Sequence, residues 1–388
     1  MHKITADYIF TGNAAPIKNG IILIKNDGTI IDIIDPKNST LSFDNVKKYE
    51  GVICPGFINT HCHLELSYLK NEIPQKTTLP GFVKELVQKR NNFSEKERQA
   101  AINKAEQEMI ENGIVAVGDI ANGNSTFQLK AKHNIYYHTF LEVFEIDDEL
   151  AKSAFDKVAQ LKATYFNKNQ ISIVPHAPYS VSKSLLKLIV SQENTIFTIH
   201  NQETDSEKAF FKEKSGKLYE QMAAFNPKVA TWENQKDGSL AHYLPYFKNA
   251  TSLLLVHNTY TTKDDIAYAK EQNIPIYWCF CPKANLYIEN TLPDFTLFEN
   301  ENCTIGTDSL ASNDTLSVLE ELKVITENTP ISLEKLIKWS TYNGAKYLNI
   351  ESQFGSITKE KKPGINLLTN INLEELKLTQ DSSIVKLY

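Results

Sequence analysis

The chain has 388 residues, 41 Lys+Arg against 47 Asp+Glu, and 41% hydrophobic residues. That balance belongs to a folded globular protein and excludes a disordered or fibrous one. A net charge of −6 gives no basic stripe for nucleic acid, and no apolar run approaches the roughly 20 residues of a membrane-spanning helix. The expected partner is therefore a small molecule, with neither nucleic acid nor membrane. Arg90 and Arg98 are the only arginines, so recognition by several guanidinium clamps is unavailable. Asp7 interrupts the apolar core a signal peptide would need. Five cysteines, Cys54, Cys62, Cys279, Cys281 and Cys303, are an odd number that points to free thiols in a reducing compartment, the cytoplasm.

In chain order, residues 3–50 carry short β-rich runs at Ile4–Phe10, Gly20–Lys25 and Thr29–Ile34, with Asn26-Asp27-Gly28 as a hairpin turn. The far end has the same texture at Gly355–Ile357, Gly364–Leu368 and Ile384–Leu387. Residues 1–50 with 350–388 are thus predicted to build one small β domain. Between them, apolar runs at Gly51–Leu66, Gly113–Asn122, Ile135–Ile146, Ile171–Val181, Thr195–Thr204, Thr251–Thr261, Pro275–Ile288 and Cys303–Ser309 alternate with helical stretches. Those stretches are Gly81–Asn112, Glu149–Thr164, Lys183–Ser191, Ser206–Phe225, Thr262–Gln272, Thr315–Glu327 and Ser332–Leu348. Apolar strands alternating with helices predict a helix-covered parallel sheet. Eight such units over 51–349 fit a (β/α)8 barrel. A doubly wound open sheet is the rival, but no Gly-rich phosphate loop follows the first strand.

Catalytic groups of such barrels sit at the C-terminal strand ends. His61, His63, His176, His200 and His257 all lie where an apolar run stops, as do Glu65, Glu142 and Asp308. His61-x-His63 puts two imidazoles on one strand face, able to share an ion; alone, such a pair is as readily a plain hydrogen-bonded one. With His200 and Asp308 the set becomes three imidazoles and a carboxylate, which suits one Zn²⁺ or Fe²⁺ and leaves a position for water. His257 reads either as a further ligand or as a group beside the metal that holds the water. Glu203, three residues after His200, is placed to shuttle protons. His176, Glu65 and Glu142 are candidates for substrate contact, or equally for outer hydrogen bonds. Cys281 and Asn285 follow the seventh strand without an assignable role. No G-x-S-x-G, H-E-x-x-H, P-loop or cytidine-deaminase pattern occurs.

Pro55-Gly-Phe-Ile-Asn-Thr-His61-Cys-His63-Leu-Glu-Leu-Ser, His200-x-x-Glu203, His257, Cys281-Pro-Lys-Ala-Asn285 and Gly306-Thr-Asp308-Ser-x-x-Ser-Asn313 resemble the amidohydrolase superfamily. Within it they resemble the aminohydrolase branch of guanine, cytosine, methylthioadenosine-type and aminodeoxyfutalosine deaminases and triazine hydrolases. The resemblance implies a distorted barrel beside a β-sandwich built from both termini. It implies one divalent metal, zinc before iron, on His61, His63, His200 and Asp308, with His257 on the reacting water and Glu203 as proton shuttle. It also implies deamination of a purine-like or other N-heterocyclic base or nucleoside, and a homo-oligomer. Hydrolysis of a ring amide or a triazine substituent is the alternative, and a binding protein without catalysis a remote one. Two-metal relatives carry a lysine on strand four, whereas here that strand reads Ile171-Ser-Ile-Val-Pro-His176. The methylthioadenosine-type deaminases grip a substrate carboxylate with arginines, and this chain has none after Arg98. The C-terminal Lys362-Pro-Gly-Ile-Asn-Leu-Leu also departs from the usual Gly-Lys-x-Ala-Asp-Leu.

Overall fold

Isoleucine-rich alternation at the N-terminus produces two-faced strands. In Ile21–Ile24, Ile22 and Ile24 are fully buried while their neighbours are partly exposed, the period-2 signature of a half-covered sheet. The computed structural model describes residues 1–38, 44–192, 195–235 and 238–388. His2–Thr5, Ile21–Ile24, Ile30–Ile34 and Lys47–Lys48 form one terminal sheet. A second runs in the order Ser383–Lys386, Ile365–Thr369, Val52–Pro55, Tyr8–Ile9, Ile17–Lys18, so the two chain ends pair with each other. Ile4, Ile22, Ile24, Ile53 and Ile365, drawn from both sheets, share one buried cluster. The expected hairpin at Asn26-Asp27-Gly28 is present, with Ile21–Ile24 antiparallel to Ile30–Ile34.

The middle supplies eight parallel strands: β1 (Phe57–Cys62), β2 (Ile114–Ala121), β3 (Tyr136–Val143), β4 (Ile171–Pro175), β5 (Ile196–Asn201), β6 (Ser252–His257), β7 (Ile276–Phe280) and β8 (Cys303–Ile305). They pair as two four-stranded sheets, β4-β3-β2-β1 and β5-β6-β7-β8. Every residue of β1, β5 and β6 is buried, as expected of strands covered on both faces. Hydrogen bonds also cross between the sheets. The His200 N–H donates to His176 O at 3.0 Å, and the N–H groups of Thr307 and Asp308 both donate to His61 O, at 3.0 and 3.1 Å.

Several boundaries differ from the sequence reading. The Gly51–Leu66 run is two strands: Val52–Pro55 joins the terminal sheet and Phe57–Cys62 the parallel one. Gly56 divides them, because a Cβ there would meet Val115 Cγ1 at 2.4 Å. Gly355–Ile357 is not a strand. It is a turn with Gly355 at φ +79°, tied by the Ile357 N–H to Thr11 O at 2.9 Å. The helical stretch Gly81–Asn112 is two helices, Thr78–Lys89 and Glu95–Glu111. The second starts where Ser94 and Glu97 cap each other reciprocally. Ser206–Phe225 likewise breaks at Lys214, whose φ is +53°.

Candidate active site

The tips of the parallel strands bring the singled-out side chains together. Ligand atoms of His61, His63 and His200 lie within 4.8 Å of one another. Asp308 Oδ1 stands 3.5 Å from His61 Nε2 and 3.4 Å from His63 Nε2. His61 is the last residue but one of β1 and His63 the first beyond it, with Cys62 between them packing its side chain into the main core. Asp308 lies three residues past β8. A short turn aims it inward, with φ +57°, and Ser312 Oγ donates to its Oδ2 at 2.5 Å. Gly306 permits the approach of β8 to β1: a Cβ there would lie 2.8 Å from His61 Cβ and 2.9 Å from both Cys279 Sγ and Cys281 Sγ. All five cysteines are buried and free.

His257 and Glu203 sit opposite each other, with Nε2 3.7 Å from Oε1. Asn285 Oδ1 accepts from His257 Nδ1 at 2.9 Å, which leaves the Nε2 lone pair directed into the pocket. His257 has φ +75°, another left-handed backbone at a non-glycine residue, and such strain persists only where the surroundings over-determine it. His200 Nδ1 donates to His176 O at 2.8 Å, and this fixes its other nitrogen as a ligand-type lone pair. His176 Nδ1 meets Ser180 Oγ at 2.8 Å. Glu142 Oε1 lies 3.6 Å from His200 Nδ1, and Glu142, His176 and His200 form a second close group. Asn122 links Glu142 to Glu65: its Nδ2 donates to Glu142 Oε2 at 3.0 Å and its N–H to Glu65 Oε1 at 2.9 Å.

Burial dominates the protonation states. It pushes His63 down to about 3 and His176 to about 4, and it lowers His61, His200 and His257, so these rings are neutral. It raises Glu65 and Glu142 to about 7. Glu203 is driven well above the usual range by burial and by the neighbouring Asp308 and Glu289. Burial acts to raise Asp308 too, but the adjoining His61 ring, 3.5 Å away, and the other nearby imidazoles outweigh it and hold the carboxylate well below its ordinary value.

This donor set fits a divalent ion. Both ring nitrogens of His61 and Nε2 of His257 are buried without a hydrogen-bond partner among the described residues, and each such orphan costs about 1–3 kcal/mol unless something answers it. Neutral imidazoles with one ionised carboxylate suit zinc or iron.

Sequence reasoning left three residues without a part. Asn285 and Ser312 stand in quoted motifs and prove to hold His257 and Asp308. Asn122, the first residue after β2, was legible by the strand-end rule. A fourth support is buried below the site. Asp119 Oδ1 accepts from the Leu64 N–H at 2.8 Å, and its Oδ2 lies 2.5 Å from Lys130 Nζ, both side chains fully buried. The pair pins the chain just after His63. Asp119→Ala leaves an unpaired buried ammonium and is expected to cost about 3–5 kcal/mol, measured as a lowered urea midpoint. Adding Lys130→Met is expected to recover most of that loss.

Residues 52–387 match the amidohydrolase family. The chain belongs to that family. An adenosine deaminase from Helicobacter pylori is 26% identical over 355 residues, which is 88% of this chain and 85% of that one. Among solved structures, Helicobacter pylori aminofutalosine deaminase in complex with methylthio-coformycin has TM-score 0.77 at 23% identity, covering 98% of this amidohydrolase and 94% of the other chain. A zinc-bound adenosine deaminase from Xanthomonas campestris has TM-score 0.70 at 18% identity, covering 97% and 86%. These two structural likenesses speak for a shared fold. No helix among the described residues of this amidohydrolase is long and apolar enough to cross a membrane.

Proposed function

We propose that this amidohydrolase is a metal-dependent aminohydrolase that removes an amino group from an electron-poor ring carbon of a purine-like base or nucleoside, releasing ammonia. One observation carries the reading: ligand nitrogens of three buried histidines converge within 4.8 Å, with the Asp308 carboxylate 3.4–3.5 Å from two of them and Glu203 facing His257 beside them at 3.7 Å. His61, His63, His200 and Asp308 would hold one ion, Zn²⁺ before Fe²⁺; the nitrogen-rich donors and the zinc-bound neighbour support zinc. When bound, the ion supplies Lewis acidity that makes a water molecule easier to deprotonate.

This chain's residues then divide the proton work. His257 Nε2, a bare acceptor once Nδ1 is committed to Asn285, orients the attacking water. Asp308, the carboxylate that stays ionised beside the three imidazoles, takes the proton that the water gives up as its oxygen bonds to the ring carbon. Glu203, kept protonated by burial, donates to the adjacent ring nitrogen and so prevents charge from accumulating there. Now ionised, Glu203 takes the remaining proton of the added hydroxyl as the carbonyl forms and passes it to the amine as the C–N bond breaks, and the proton held by Asp308 returns Glu203 to its acid form. His176, Glu65 and Glu142 would contact the substrate.

The strand-tip arrangement of a distorted (β/α)8 barrel accounts for this convergence. Hydrogen bonds between β4–β5 and between β8–β1 and the shared fold of the neighbours support barrel closure. We divide the chain into a barrel over 51–349 and a β-sandwich over 1–50 with 350–388, residues 39–43 lying outside those described. A cytoplasmic location and a homo-oligomer belong to the same reading. Ammonia release against a panel of purines, pyrimidines, nucleosides and aminotriazines tests it. A purine or nucleoside is expected to be deaminated, and turnover confined to triazine or cyclic-amide bonds would overturn the assignment.

A further inference from the structure

The two groups that handle the attacking water come from different strands. His257 ends β6 and is held by Asn285 of the helix Pro282–Ile288, which follows β7. Asp308 stands in the turn after β8. One carboxyl joins the two supports. Glu321, on the helix Val318–Asn328, is fully buried. Its Oε2 accepts from the Lys283 N–H at 2.8 Å and its Oε1 from Asn313 Nδ2 at 2.7 Å. Lys283 lies in the first turn of the helix that carries Asn285, where an N–H has no partner within the helix. Among the described residues Cys281, which precedes that helix, supplies no side-chain cap. Asn313 Nδ2 also donates at 2.8 Å to the O of Thr307, the residue before Asp308. Lys283 Nζ reaches Asp314 Oδ1 at 2.8 Å as well, but the Asp314 side chain is 63% exposed, and an exposed pair of this kind holds little.

We propose, resting on the aminohydrolase reading, that Glu321 is a positioning residue. It clamps the helix that orients His257 to the turn that carries Asp308, and so sets where acceptor and base lie relative to one water molecule. Both partners of Glu321 are N–H donors, so both of its oxygens must accept. A glutamine fills the same volume but turns an NH2 group toward one of the donors, and that arm opens. Loss of either arm lets the two supports shift independently. Outer groups that act through the residues they hold are typically worth about 10–100-fold, and displacing a reacting group by about 1 Å can cost on the order of 10²-fold. Neither arm ends on a residue assigned to the substrate, so the loss falls on kcat rather than KM.

Glu321→Gln, Asn313→Ala and the double variant test the clamp, with Glu106→Gln as control. Glu106 is likewise a buried carboxyl accepting two hydrogen bonds, from Asn134 Nδ2 at 2.8 Å and Tyr137 OH at 3.1 Å, but it serves the opposite, N-terminal end of β3. In the metal-loaded enzyme kcat is expected to fall about 10–100-fold in each single variant. KM is expected to stay within about threefold of wild type. Both substitutions open the same clamp, so the double variant should lie within about threefold of the poorer single one. Glu106→Gln should keep its kcat. Wild-type kcat in Glu321→Gln, or a double loss equal to the product of the single losses, would overturn the proposal. A second readout needs neither turnover nor metal. In protein carrying isotope-labelled histidine, the nitrogen–proton signal of His257 Nδ1 is identified by its absence from His257→Asn. It is expected to move in Asn313→Ala as in Glu321→Gln, and to stay in place in Glu106→Gln. A signal that does not move in Asn313→Ala sinks the clamp, even where activity has fallen. If no substrate releases ammonia, the deaminase reading falls and this signal alone decides; if Glu321→Gln does not fold, Asn313→Ala meets the same expectations by itself.

Discussion

Glu203→Gln is expected to keep its metal and its thermal unfolding temperature while kcat falls by about 10²–10⁴-fold, the usual worth of a positioned general acid–base group. Glutamine preserves the volume and the carbonyl facing His257 but has no proton to give the ring nitrogen. The pH profile adds a second reading. Burial, with Asp308 and Glu289 nearby, raises the Glu203 carboxyl well above its ordinary value, so the working form is the neutral acid. Raising the pH through its ionisation removes the donor, and activity falls on the alkaline side. The Gln variant is expected to lose that limb along with most of its turnover. Unimpaired turnover in Glu203→Gln would assign the proton transfer to another group.

His61→Ala is expected to abolish stoichiometric metal and to reduce activity to the background rate. His61 is fully buried, with neither ring nitrogen partnered among the described residues, so the ion is the group that would satisfy it. A tightly held ion also stabilises the native state by mass action, by about 4 kcal/mol at a concentration a thousandfold above Kd. Chelation should therefore lower the Tm of the wild-type protein and leave that of His61→Ala where it was. Elemental analysis with differential scanning calorimetry, with and without chelator, checks both parts. Full activity in metal-free His61→Ala would end the metal-dependent reading.

Much of this site was legible because strand ends announce themselves. Thr198-Ile199-His200 and Leu255-Val256-His257 pass from apolar to imidazole within one residue, and a parallel sheet gathers such transitions at one end. What stayed hidden depends on which loops meet, which periodicity does not encode. The Asn285–His257 bond spans 28 residues, Asp119–Leu64 spans 55, and the tie from Glu289 to Leu79 spans 210. Each follows from how a connection returns across the sheet. The single run Gly51–Leu66 misled for a related reason. Its hydrophobicity is continuous, but Pro55 and Gly56 turn the chain from one sheet to another, and both sheets need apolar residues.

The left-handed backbone at His257 and Asp308 sets the needs of chemistry against those of folding. Glycine enters that region without cost, and other residues, aspartate and histidine less than most, pay something for it, so at these two positions the side chains suited to proton handling hold the main chain where glycine would sit more easily. A descendant freed from its reaction would gain by drifting toward glycine there, becoming sturdier as it became inert. The residues at 257 and 308 are thus a ready gauge, within any lineage of such proteins, of which members still do the work.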